Sequence, residues 1–455
     1  MSLELATITP EPDRGTSCEA LVLGGGIAGL AAADHLSSRG FAVTVLEASE
    51  RLGGTHRAIE IGPYTYDVGS IFYEETAQLF NLAPGLREQC PQVKRVQRRI
   101  IPDGKLRHYP IEPRDLLKWP RLQLAKAVAG MAWARATKRR DGTLEGACVA
   151  RLGDPFFTGT GLRDYTRRFN GLEPSEIDEE FYDHRMKFIH KATDPGKLVK
   201  GAWSALRKKS YRIAPPKPLR IRPRAGYAPL FDAVRETLEA RGVVFRMNET
   251  VLSMSSSEGA TTVVTDKGHL RAEVVVGAIP LSDIHLALFG EESGLETLDL
   301  LTLFVSAETL HKEVGNVLFN FHPQGDWKRA TIYSNLYPEP ATERPFFAVE
   351  ITLSPGEQAR PEQAFADLEA HLGGLGIVTG LRLEGHEVTK AAYPLYRPGR
   401  SAELNRVIER VSEAGIVLVG RQGRFEYLPT STGVIRRVRE ELGNAADRMK
   451  AAARP

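Results

Sequence analysis

Three glycines, Gly24, Gly26 and Gly29, stand between a short apolar run that ends at Gly24 and a helix-like stretch that continues to Leu36. In that setting the spacing has a mechanism. Gly24 permits a tight turn, Gly26 lets the backbone approach a pyrophosphate, and Gly29 lets helix and sheet pack closely, with the phosphates at the positive end of a helix opened by Ile27 and Ala28. Glu47 closes the next apolar run, Ala42-Val-Thr-Val-Leu-Glu47. At that distance a carboxylate accepts hydrogen bonds from a ribose 2′-hydroxyl and disfavours a 2′-phosphate. The plainer reading is a glycine-rich turn with a surface glutamate, and four residues in register weigh against it. Metal and serine-hydrolase chemistry are disfavoured: the eleven histidines include no H-x-x-x-H pair, and no G-x-S-x-G elbow occurs.

The elements that must position these residues are a strand, a glycine turn with its helix, and a second strand, which together make a βαβ unit. Residues 1–17 read as a loose polar tail. The stretch from about 75 to 215 reads as mainly helical, with caps at Asp115 and Ser175. A helix is expected from Ala228 to Arg241, strands at Thr261–Thr265 and Val274–Pro280, a strand-rich region over about 298–353, a buried strand at Ile416–Gly420, and a last helix over about 433–452. Pieces similar to the first βαβ unit lie at both ends of the chain. The expected fold is therefore α/β, a discontinuous Rossmann-like nucleotide domain (18–75, 220–285 and 410–455) with an inserted mixed β-sheet and helical substrate domain (76–219 and 286–409).

Composition is ordinary for a globular protein: 455 residues, 42% hydrophobic, 26% charged and a net charge of +3. Cys18, Cys90 and Cys148 are far apart and show no C-x-x-C spacing, so neither a disulfide framework nor a cysteine metal site is expected, and a reducing, cytoplasmic setting is the default. The first residues do not read as a secretory signal, and no run of ~18 uncharged apolar residues occurs. The overall charge gives no reason to expect nucleic acid. Charge is nevertheless clustered, because Lys197 to Arg224 holds Lys and Arg with no Asp or Glu. That run either contacts an anionic substrate or an anionic membrane face, or is only solvated.

The run Glu47-Ala48-Ser-Glu-Arg51-Leu-Gly53-Gly54 resembles the continuation of the dinucleotide fingerprint in the flavoprotein family that includes amine oxidases, phytoene desaturases, protoporphyrinogen oxidase and UDP-galactopyranose mutase. The resemblance implies FAD as cofactor, with Ala48, Arg51, Gly53, Gly54 and Thr55 beside it. Arg51 can face a phosphate or pair with a carboxylate, and the two glycines let the chain pass close to a flat ring. Further matches follow in order: Tyr66–Phe72, Lys105–Ile111, Arg167–Ile177 with Arg185, Pro223–Tyr227, Asn248–Val251, Ile279-Pro280 and Gly420–Tyr427, and Trp327–Asn335 resembles a strand flanking the substrate pocket in the same relatives. They imply a cofactor role for Val251, Gly420 and Arg421, and a substrate role for Arg185, Arg224, Tyr227, Arg329 and Tyr333. His56 after the glycine pair is a candidate acid or base, or a plain loop residue.

The branch is less defined. Arg421 and Tyr427 stand where the mutases hold a substrate diphosphate, and Tyr427 is a second catalytic candidate. Ser70 replaces the mutase His, Leu298–Thr302 contains no Arg, and Pro429 replaces an acidic residue. The lysine that amine oxidases place near the flavin would fall in Leu300–Val305, where none occurs; the nearest are Lys312 and Lys328. The leading expectation is an FAD-dependent oxidoreductase that takes hydride from an anionic or ring-containing small molecule. The alternatives are a redox-neutral nucleotide-sugar mutase and a non-catalytic FAD-binding scaffold.

Overall fold

The strand Thr16–Leu23 sits at the centre of a seven-stranded sheet because Ala20, Leu21, Val22 and Leu23 are all fully buried. A strand covered on both faces has no polar side to present, which is why it reads as a continuous apolar run. In this computed structural model, which describes residues 16–68, 71–111, 118–186, 218–257, 259–337 and 342–452, that strand pairs in parallel with Val43–Glu47 on one side and Gly268–Gly277 on the other. Val244–Met247 extends the sheet beyond Val43–Glu47. The long strand Gly268–Gly277 takes the hairpin Val251–Ser257 and Ala260–Thr265 along its first half and Ile416–Leu418 along its end. Helix Ile27–Ser37 packs on this sheet through Leu30, Ala31, Ala32 and Leu36.

A second seven-stranded sheet runs in the order Arg382–Pro394, Thr297–Ser306, Phe346–Leu353, Arg329–Ile332, Val317–Asn320, Gln97–Ile100, Leu106–His108. Its neighbours are antiparallel except for Gln97–Ile100 beside Val317–Asn320. A helical layer, Arg121–Thr137, Leu144–Leu152, Asp154–Gly159, Leu162–Asn170 and Glu180–Arg185, packs Phe156, Phe157 and Phe169 against Phe319 and Phe321 of that sheet. The α/β class and the two kinds of layer match the sequence-based expectation. Among the described residues no helix is long and apolar enough to cross a membrane, and no cluster of metal-ligating side chains occurs.

Two local expectations are corrected. Residues 75–110 are not mainly helical: Gln97–Ile100 and Leu106–His108 are strands, and Gln78–Asn81 and Leu86–Gln89 are single short turns. Gln97-Arg-Arg-Ile100 has no apolar periodicity of its own; the edge of the second sheet supplies its backbone partners. Ser175 lies inside the turn Pro174–Glu176, which is capped by Glu173 in a reciprocal box with Glu176. Asp115 lies outside the described residues, as do Lys197 to Lys217 of the basic run. Of that run's last three members, Arg220 pairs with Glu75 and Arg222 with Asp67, so both are structural.

The Asp67–Arg222 pair is fully enclosed, at 0% and 1% side-chain exposure. Arg222 also donates to the Thr65 carbonyl at 2.8 Å and the Pro223 carbonyl at 2.7 Å. The Asp67 N–H donates to the Tyr333 hydroxyl at 2.9 Å, and the Tyr337 hydroxyl donates to the Arg222 carbonyl at 2.9 Å. Removing one member leaves the other charge buried without its partner, at a cost of about 3–5 kcal/mol. Arg222→Met is expected to lose roughly that much in chemical denaturation, and Arg222→Met with Asp67→Leu to lose clearly less than the two singles added together. A single-variant loss below ~1 kcal/mol would count against a structural role.

Candidate functional site

A cavity of about 700 Å³ runs between the glycine turn and the second sheet. At one end it is lined by Gly24, Gly26, Ile27, Ala28 and Glu47. Gly53, Gly54, Thr55 and His56 form its middle, together with Arg421 and Tyr427. The turn closes tightly. A Cβ on Gly29 would strike the Gly24 carbonyl, and Gly24 itself holds φ +100°, so glycine is required at both places. Helix Ile27–Ser37 begins at Gly26 with no side-chain cap, so its first-turn N–H groups open toward the cavity. Glu47 braces this turn: Oε2 accepts from the Gly25 N–H at 2.7 Å, and Oε1 from the Ser49 N–H at 2.9 Å and hydroxyl at 2.6 Å. A carboxylate offers about four acceptor sites, so roughly one is left.

His56 is walled by aromatic rings, stacked on Tyr73 at 6.3 Å and met edge-on by Tyr227 at 5.7 Å. Burial, with the Arg421 charge nearby, pushes its pKa down to about 4. Arg421 stands in the short helix Gly420–Gly423 and donates to the Ala392 carbonyl, with its guanidinium 4.9 Å over the Tyr393 ring. Its Nε, like the buried Tyr73 hydroxyl, has no partner among the described residues.

The far end of the cavity is aromatic, with Tyr109, Tyr165, Phe169, Phe319 and Tyr393 in its walls. Arg329 projects into it from the second sheet, bonded to Glu350 on the neighbouring strand. Lys328, behind the wall, lies 3.8 Å from the other Glu350 oxygen and 4.4 Å over the Tyr393 ring. One carboxylate thus answers two cations. Arg95 adds a second guanidinium to this part of the lining, and Glu74 also lines the cavity.

Several residues singled out in the sequence lie elsewhere. Arg51 is 70% exposed beside Glu50, Ala48 is exposed, and Val251 is half-buried at the edge of the first sheet, none of them in the cavity wall. Gly420 is buried where a Cβ would press on Ala28. Tyr227 packs behind His56, while Tyr333 holds the Asp67 N–H and with Arg224 lines a separate cavity of about 260 Å³. The side chain of Arg185 and both Gly69 and Ser70 lie outside the described set. Arg95, Tyr165, Glu350 and Tyr393 carry no sequence motif. Only the alternation of strand residues, which puts Arg329 and Thr331 on one face, would have pointed to this wall.

The family model for flavin containing amine oxidoreductases matches residues 27–301. A curated relative, the 1-hydroxycarotenoid 3,4-desaturase of Flavobacterium sp. (strain P99-3), is 41% identical over 68 residues, a match spanning 14% of this chain and 14% of that protein. The fold is similar to that of reduced UDP-galactopyranose mutase, at 15% identity and TM-score 0.78 over 94% of this chain and 96% of that one. It is also similar to a protein described as a protoporphyrinogen oxidase from Exiguobacterium sp. 255-15, at 19% identity and TM-score 0.70 over 95% and 99%. At such identities the likeness is one of fold.

The His56 environment has a measurable signature in the cofactor-free protein. A depressed histidine pKa favours the neutral ring in the folded state, so its contribution to stability is whole above pH 6.5 and is lost as pH falls through about 4. Titration followed by NMR is expected to give a His56 midpoint near pH 4, and Arg421→Gln to move it upward by removing the nearby charge. A midpoint near 6.5 in the unaltered chain would contradict the enclosure described above.

Proposed function

We propose that this chain, which belongs to the flavin containing amine oxidoreductase family, binds FAD at the glycine-lined end of the cavity and oxidises an anionic, ring-bearing small molecule held at the aromatic end. One observation carries the reading: a single cavity joins an uncapped helix N-terminus to an aromatic chamber that holds the Arg329 guanidinium. The glycine end fits the cofactor. First-turn N–H groups suit a pyrophosphate, Glu47 retains an acceptor site for a ribose hydroxyl, and Tyr73 Oη and Arg421 Nε are buried polar atoms without protein partners among the described residues.

A bound flavin supplies a two-electron acceptor for a hydride leaving a substrate C–H bond. The residues of this chain bind, orient and exclude water. Arg329, kept in place by Glu350, offers its guanidinium to an anionic group on the substrate. Tyr165, Phe169 and Tyr393 give flat apolar walls for a ring. His56, neutral at physiological pH, adds no charge near the ring and serves as a wall between the two ends. Tyr427 and Arg421 add neutral and cationic donors from the C-terminal segment.

Those last two residues also favour a second reading, a redox-neutral rearrangement of a nucleotide sugar whose diphosphate they would hold. The two readings separate in one experiment. Anaerobic mixing with anionic ring compounds is expected to bleach the flavin absorption without added reductant; a requirement for prior reduction, with no net oxidation of substrate, would select the rearrangement. Full FAD occupancy with neither behaviour would leave a scaffold role, and a colourless protein that takes up no FAD would sink all three. For the substrate found, Arg421→Ala is expected to weaken binding roughly 10- to 100-fold, the loss of a charge-assisted hydrogen bond.

A further inference from the structure

Helix Arg121–Thr137 is apolar on both faces. Its inner face buries Ala127, Met131 and Ala134 against the neighbouring helices Leu144–Leu152 and Asp154–Gly159. Elsewhere it leaves Leu122 69%, Val128 60% and Trp133 67% exposed. These are three of the seven large apolar residues exposed in the described chain, and they share one helix. At about 100° per residue, Leu122, Ala129 and Trp133 fall within a narrow stripe that also takes in Lys126, while Val128 lies about 120° from Leu122 on the flank.

The charges around the stripe have one sign. From Lys118 to Arg140 the sequence contains no Asp or Glu. Lys118, Arg121, Lys126, Lys138 and Arg139 are exposed and make no ion pair among the described residues. Arg140 is bound to Asp183, and the half-buried Arg135 donates to the Arg151 carbonyl at 3.0 Å. Leucine and tryptophan set among unpaired cations match the interfacial zone of a bilayer, where an indole sits at the headgroup level and basic residues meet anionic lipid. A two-fold contact between copies of this chain would instead set cations against cations. We propose that this outer face docks on the surface of an anionic bilayer, with the helix lying in the plane of the interface.

The surface has a geometric relation to the cavity. Asp154–Gly159 packs on helix Arg121–Thr137 on one side and on Leu162–Asn170 on the other, and Leu162–Asn170 supplies Tyr165, Thr166 and Phe169 to the aromatic chamber. Docking on this face brings the bilayer to the helical layer that roofs the chamber. The inference stands independently of the reaction.

Co-sedimentation of the full-length protein with phosphatidylcholine vesicles, with and without phosphatidylglycerol, tests it. Binding to the anionic vesicles is expected to exceed that to the neutral ones by about 10-fold and to fall with added salt. The double variant Leu122→Glu with Trp133→Glu is expected to lose that binding by a similar factor at an unchanged melting temperature. If the variant melts lower, Leu122→Ser with Trp133→Ser supplies the comparison. No sedimentation with either vesicle overturns the proposal. So does equal binding by the variant, or a dimer in light scattering that the variant dissolves, since a second copy would then cover the face.

Discussion

One ion pair, Asp67 with Arg222, holds the parts of this molecule in register. Asp67 ends the strand Tyr64–Asp67 after the glycine segment, and Arg222 follows the strand Leu219–Ile221, so the contact joins chain segments that are far apart in sequence. Tyr333 and Tyr337 bring the second sheet to the same point through Asp67 N–H and the Arg222 carbonyl. Burial pushes the Asp67 carboxyl up to about 6, against the pull of Arg222. A buried charge pair is costly unless its remaining hydrogen bonds are met; Arg222 donates to three carbonyls, of Thr65, Pro223 and Arg224, while Asp67 Oδ2 has no hydrogen-bond partner among the described residues. The junction therefore tolerates little displacement, and Val68, next to Asp67, already lines the main cavity.

From that fixed junction the cavity acquires two chemically different ends. Backbone dipoles dominate at the glycine turn, where Glu47 keeps the loop closed and Gly53, at φ +116°, allows the chain to run past Phe231. Side-chain charge dominates at the other end, where Glu350 pairs with Arg329 in the lining and with Lys328 behind it, and Arg95 also faces the cavity. Backbone N–H groups recognise a phosphate regardless of what is attached to it. The guanidinium end can discriminate, because its geometry depends on which carboxylate holds it.

The first βαβ unit was legible because its signals are local: a buried strand reads as an apolar run, and a turn that needs φ > 0 reads as glycine. The strands Gln97–Ile100 and Leu106–His108 were not, since they owe their state to the exposed edge of a sheet built from residues beyond 290. The basic run shows the same limit. Arg220 and Arg222 look identical in sequence to their neighbours, yet Glu75 and Asp67 take them into the structure. Tyr333 drew attention as a pocket residue; it lines a cavity apart from the main one and accepts a hydrogen bond from the Asp67 N–H.

By itself the sequence determined the α/β class and the phosphate-suited turn at Gly24–Gly29, and it singled out the Glu47 carboxylate, because each depends on backbone geometry within a few dozen residues; that Glu47 braces the turn came from the structure. Only the tertiary structure decided which side chains share the aromatic chamber. Arg95, Tyr165, Arg329, Glu350, Tyr393 and Arg421 come from separate segments of two sheets and a helical layer. Their meeting depends on strand order and on the buried pair at residues 67 and 222, and neither leaves a periodic trace in the chain.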